Sequence, residues 1–151
     1  LLAGKGLHVT VVSRSKGRAA ACCAGIKAHQ PDAVVTPAAA EVVETVLGSA
    51  HIIVAAGGPG VELLSAEQFC RASECRVCID LNAVPPAGVV GIQPTDKARD
   101  VNGVIVYGAL GIGGTKMKIH REGISRLFSS NDQWLDAEEL LLIGEQLSHS
   151  G

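Results

Sequence analysis

Short runs of β-branched and aliphatic residues alternate along this chain with longer stretches whose apolar positions recur every three or four residues. Residues 8–13 (HVTVVS) read as a strand. Residues 16–29 read as a helix with Ala19, Cys22, Cys23 and Ile26 at i, i+3, i+4 and i+7. A short strand is expected at 33–36 and a helix at 41–47, stopped by Gly48. The continuously apolar HIIVAA (51–56) is a strand ended by Gly57-Gly58-Pro59-Gly60. Residues 65–72 form a short helix with Ser65 as N-cap, and 76–81 form the next strand. Residues 88–103 are the longest irregular stretch, followed by the last clear strand at 103–107. Two helices close the chain, at 116–128 and 136–147, the second opened by a capping box of Asp136 and Glu139. The opening LLAGKG reads as a helix end with Gly6 near its C-cap, so the chain is expected to begin inside an element. Strands alternating with helices, and apolar on both faces, imply an α/β fold with a doubly wound parallel sheet.

Composition narrows this further. At 151 residues the chain suits a single domain, 1–151, and 47% apolar against 19% charged residues excludes disorder. A net charge of −2 gives no reason to expect a nucleic acid or an anionic membrane as partner. No apolar run approaches the roughly 20 residues of a spanning helix. The five cysteines are scattered and odd in number, unlike a disulfide framework. Cys75-x-x-Cys78 lies in a strand-like run, where positions three apart point to opposite faces, so packed thiols are expected rather than a zinc or redox pair.

Candidate chemistry gathers at strand ends. Ser13-Arg14-Ser15-Lys16, with Arg18 beyond, follows the first strand. In a dinucleotide-binding fold an acid at that place selects NAD and an arginine holds the 2′-phosphate of NADP. The alternative is a solvated turn with a serine N-cap. Gly57 ends the apolar strand on the same carboxyl edge, either along a cofactor or simply in a strand-to-loop turn. Asn82 could hydrogen-bond cofactor or substrate. Asp80 is expected to be structural, taking backbone donors, and one of Pro85 and Pro86 is a candidate cis residue. In residues 107–120, YGALGIGGTKMKIH, four glycines let backbone approach a ligand, with Lys116 and Lys118 behind them. His120 lies one helical turn beyond Lys116. No GxSxG elbow or HExxH motif occurs, and no metal site is expected.

Residues 107–120 and 80–88 (DLNAVPPAG), in this order, together with HVTVVSRS and the closing LDAEEL, resemble the bacterial methylene-tetrahydromethanopterin / methylene-tetrahydrofolate dehydrogenase family. The resemblance implies a Rossmann-like domain binding NADP, with NAD as the alternative. It implies NADP-dependent oxidation of the methylene pterin to its methenyl form in one-carbon metabolism. It points to Ser13, Arg14 and Lys16 for the cofactor phosphate and to Lys116 at the reaction centre. It further implies cofactor contacts at Gly57, Asn82 and Gly108. A tetrahydropterin substrate, held largely by a separate N-terminal domain, a homo-oligomer and a cytoplasmic location are also implied. The family's first strand and its Gly-x-Gly-x-x-Gly loop have no counterpart here, so the chain is expected to be part of a longer parent. A stand-alone remnant that binds nucleotide or a protein partner is the alternative, and an NADP-sensing regulator is a third.

Overall fold

A computed structural model describes residues 1–130 and 132–149. The fold is α/β and Rossmann-like, with mostly parallel strands alternating with helices. The chain divides into two compact units, Leu1–Ile53 with Leu64–Arg76, and Val54–Leu63 with Val77–Gly151.

The first unit opens with a 3-10 turn, Ala3–Lys5, closed by Gly6 at φ 80°, whose N–H donates to the Ala3 carbonyl. Strand β1 (Val9–Ser13) pairs in parallel with β2 (Val35–Ala39), and helix α1 (Lys16–His29) makes the crossover and packs on both. Val9, Val11 and Ile26 close over Ala3, Cys23, Ala33 and Val35. Strand β2 runs beyond the expected 33–36 and through Pro37, which sits opposite Val11. A proline is tolerated there because β2 is an edge, where one missing N–H costs no second ladder. The expectation of strands buried on both faces is not met here. Helix α1 covers one face, and Val12 on the other is 40% exposed. Cys22, assigned to the buried helix face, is also exposed, whereas Cys23 is buried. The helix expected at 41–47 is a 3-10 turn, Ala40–Val42, leading into α2 (Val43–Leu47). Helix α3 (Ala66–Cys70) has the expected cap. Ser65 Oγ accepts the Gln68 N–H at 3.2 Å, and Gln68 Oε1 accepts the Ser65 N–H at 3.1 Å. An ion pair from Arg71 to Glu44 ties α3 to α2.

The second sheet has the order β3-β4-β6-β5, from β3 (Ile52–Ala55), β4 (Val77–Asp80), β5 (Arg99–Val101) and β6 (Val104–Gly108). β4 and β6 are parallel, with Asp80 opposite Gly108. β5 was not expected; it lies inside the stretch read as irregular. It pairs antiparallel with β6 through Asn102 and Gly103, at φ 53° and 85°. These are the two positive φ values that a right-twisted two-residue hairpin requires. β3 is not wholly buried either, since Ile52 and Val54 are exposed while Ala55 is buried.

Helix α4 (Gly113–Ser129) starts three residues before the expected boundary, with Gly113 and Gly114 in its first turn. The chain enters the helix on consecutive turn bonds: Ile112 N–H to Gly108 O, Gly113 N–H to Leu110 O, and Lys116 N–H to Ile112 O. Those bonds outweigh glycine's poor helix propensity. Helix α5 (Ala137–His149) is opened by Asp136, whose Oδ1 accepts the Glu138 and Glu139 N–H groups while Glu139 Oε2 accepts the Asp136 N–H. Gly123 and Gly144 let α4 and α5 approach closely, and Arg126 Nη2 donates to Gln146 Oε1 across the pair at 2.8 Å. Cys75 and Cys78 are buried, as expected of packed thiols, and Cys70 is exposed. No helix among the described residues is long and apolar enough to cross a membrane.

Candidate functional site

At the end of β1 the backbone turns into α1 through Ser13, Arg14 and Ser15. Ser13 Oγ accepts the Ser15 N–H, and Ser15 Oγ accepts the Arg18 N–H, both at 3.4 Å. The serine cap expected of a plain turn is therefore present, but it uses none of the cations. Among the described residues the exposed side chains of Arg14, Lys16 and Arg18 make no hydrogen bond or ion pair. No acidic residue occurs anywhere between Leu1 and Pro31. This donor set, two hydroxyls and three cations without a carboxylate, fits a phosphate and not a free ribose diol.

The loop after β4 is organised by Asp80, which is 1% exposed. Its Oδ1 accepts the Asn82 N–H at 2.9 Å and its Oδ2 the Val89 N–H at 3.0 Å. That is the structural role expected for it. Asn82 is equally occupied: its Nδ2 donates to Pro86 O and its Oδ1 accepts the Val84 N–H, both at 3.0 Å. The side chain proposed for a cofactor thus fastens its own loop, which contains a cis bond between Pro85 and Pro86. Gly88 has no room for a side chain, since a Cβ would stand 2.8 Å from Asp80 Oδ1.

The glycine run serves two purposes. A Cβ on Gly108 would lie 2.0 Å from the Gln93 carbonyl oxygen, and one on Gly111 would lie 1.7 Å from that of Asp96. The body that approaches these glycines is the chain's own 93–96 loop. Its carbonyls accept the N–H groups of Gly108, Leu110 and Gly111 at 2.8–3.1 Å. Gly57 is likewise closed by Leu63, which lies 2.8 Å from where a Cβ would stand. Around Gly113 and Gly114, by contrast, no atom beyond their chain neighbours and their own helix backbone lies within 4 Å of an added Cβ.

The 93–96 loop is locked by Asp96. Arg99 Nε and Nη2 donate to its two carboxylate oxygens at 2.7 and 2.6 Å, Nη2 also reaches Gly91 O, and the Gln93 N–H donates to Oδ2. The hydrogen bond from Arg99 holds the Asp96 carboxyl below its ordinary range, against the opposing effect of burial.

Beside this loop lies a cleft of about 380 Å³, lined by Lys97, Tyr107, Gly111, Ile112, Thr115, Lys116, Ile119, His120 and Leu140. It brings together Lys116 and His120, both singled out in the sequence, and adds Lys97, which was not. Lys97 gave no sequence signal, because it reaches the cleft through the Asp96–Arg99 clamp. Lys116 is exposed and sits one full turn into α4. The expectation that it occupies the first helical position is therefore not met. Ser13, Arg14 and Lys16 belong to the first unit, and Gly57, Asn82, Gly108 and Lys116 to the second.

No protein-family model matches the chain. Over 99 residues it is 40% identical to the bifunctional protein MdtA of Methylorubrum extorquens, an alignment covering 66% of this chain and 34% of that protein. Over 69 residues it is 39% identical to the NAD(P)-dependent methylenetetrahydromethanopterin dehydrogenase of the same organism, covering 44% of this chain and 23% of that enzyme. The chain thus spans about a third, or less, of the length of these curated relatives, and it is similar to a part of each.

Proposed function

We propose that this chain is the nicotinamide-nucleotide-binding part of a dehydrogenase that oxidises a methylene-tetrahydropterin, of the methanopterin or the folate type, to its methenyl form. The observation that carries the reading is the 39% identity to an NAD(P)-dependent methylenetetrahydromethanopterin dehydrogenase. The acid-free cationic turn after β1 supports NADP over NAD. Arg14 and Lys16 would hold the 2′-phosphate with Ser13 beside them, the planar guanidinium matching two phosphate oxygens. The bound nicotinamide supplies the hydride acceptor.

Lys116 serves this reaction as a holding group. Removing hydride from the methylene carbon leaves positive charge spread over the N–C–N bridge. An exposed, charged ammonium aimed at that carbon would raise the energy of the product. Its useful contact is an acceptor atom elsewhere on the ligand. The Asn82 side chain is taken up by its own loop, and Gly57 and Gly108, which have no side chain, would offer a cofactor only backbone contacts. The remainder of the pterin site would come from a separate N-terminal domain, in a cytoplasmic homo-oligomer.

Calorimetric titration of the chain with NADP⁺ and NAD⁺ tests this. The reading expects tighter NADP⁺ binding, weakened by about tenfold or more in Arg14→Ala, the usual cost of a lost charge-assisted hydrogen bond. Equal affinity for the two nucleotides, unchanged in the variant, would remove the assignment of Arg14.

A further inference from the structure

We infer that the cleft beside Lys116 is an anion site, built for the carboxylate or phosphate of a ligand that also carries an apolar, planar body. The inference deepens the proposed function and rests on it in taking the Lys116 cleft as part of the ligand site.

Three residues with basic side chains line the cleft from two segments: Lys97 from the loop before β5, and Lys116 and His120 from successive turns of α4. Among the described residues none of the three side chains has a hydrogen-bond or ion-pair partner. Acids on these same segments already have partners. Asp96 is held by Arg99, Glu122 by Arg126 at 2.9 Å, and Asp100 accepts the Gly103 N–H. No carboxylate lines the cleft. Helix α4 has no acid in its first turn and no side-chain cap, so its N-terminal dipole adds to the same positive field. Ammonium groups gathered without a counter-charge repel one another, and an anion placed among them relieves that repulsion.

The rest of the wall is apolar. Ile112, Ile119 and Leu140 offer a surface that a bare inorganic ion would leave unused. Lys97 is placed deliberately. The Asp96–Arg99 clamp and the missing side chains of Gly108 and Gly111 seat its loop against the start of α4. Lys97 is therefore assigned as a specificity residue for the ligand's anionic end.

The test is NMR titration of the full 151-residue chain with three probes: 4-aminobenzoyl-glutamate, phenyl phosphate and the dimethyl ester of the first. The expected result is binding of an anionic probe, with shifts at Tyr107, Ile112, Ile119 and His120. Affinity should fall as salt is raised, as a charge contact requires. Lys97→Gln should weaken it by about tenfold. The tighter of the two anionic probes identifies the anion as carboxylate or phosphate. Binding of the ester as strong as that of the acid, no salt dependence, or shifts confined to other residues would overturn the inference. The salt and ester arms decide the matter even if Lys97→Gln fails to fold. NADP⁺ added to the same samples separates the two readings. Retained nucleotide binding without probe binding defeats only this inference, and the reverse defeats only the nucleotide assignment.

Discussion

Asp80→Ala should cost the chain about 2–6 kcal/mol, a large share of the roughly 5–15 kcal/mol by which domains are stable. The carboxylate is 1% exposed and accepts two backbone N–H groups, from Asn82 at 2.9 Å and Val89 at 3.0 Å. Alanine leaves both donors unmet. Each buried orphan costs about 1–3 kcal/mol. Val89 is wholly buried and should bear its full share, while Asn82, at 8% exposure, is partly reached by water. Asp80→Asn keeps one acceptor and turns an amide N–H₂ toward the other donor, so it should cost about half as much. Urea unfolding followed by far-ultraviolet circular dichroism reads both values, and an unchanged denaturant slope would confirm a like-for-like comparison. Losses below about 0.5 kcal/mol for Asp80→Ala, the range of ordinary surface changes, would refute a carboxylate that organises the 81–89 loop.

Gly111→Ala should destabilise more than an ordinary glycine change, because its Cβ would lie 1.7 Å from the Asp96 carbonyl oxygen; thermal unfolding should show it, and a normal melting temperature would contradict the packing described. Ser65→Ala removes the α3 capping box and should cost about 1 kcal/mol in the same urea assay. Asp96 is titrated below its ordinary value of 3.8 by Arg99, so its contribution is complete above that value and is lost as pH falls through the depressed one. The stability gap between the native chain and Arg99→Ala should accordingly be largest at neutral pH and narrow in strong acid, where only the bond from Arg99 to Gly91 O remains. A gap independent of pH would mean that the clamp is not ionic.

The sequence disclosed what rests on local rules. Ser65, Asp136 and Gly6 carry capping chemistry within a few residues, and α1 follows from its periodicity, so these were found to within a residue or two. Asp80 was read correctly because a carboxylate at a strand end has backbone donors close by. The misses have non-local causes. β5 is polar and three residues long, and only the Asn102-Gly103 dipeptide marked its hairpin. The early start of α4 depends on turn bonds that override glycine's propensity. The close approach of residues 93–96 to Gly108 and Gly111 was not legible, because composition cannot tell which body approaches a glycine. Lys97 carries no motif, and its place in the cleft depends on a clamp formed by two other side chains.

The most direct test of the central claim maps where nucleotide binds. Amide spectra of the chain with adenosine 2′,5′-bisphosphate should shift at Ser13, Arg14, Ser15 and Lys16, and 5′-AMP at equal concentration should leave those signals nearly in place. Shifts of equal size with both nucleotides, or a β1–α1 turn unmoved by either, would contradict an NADP-binding dehydrogenase domain.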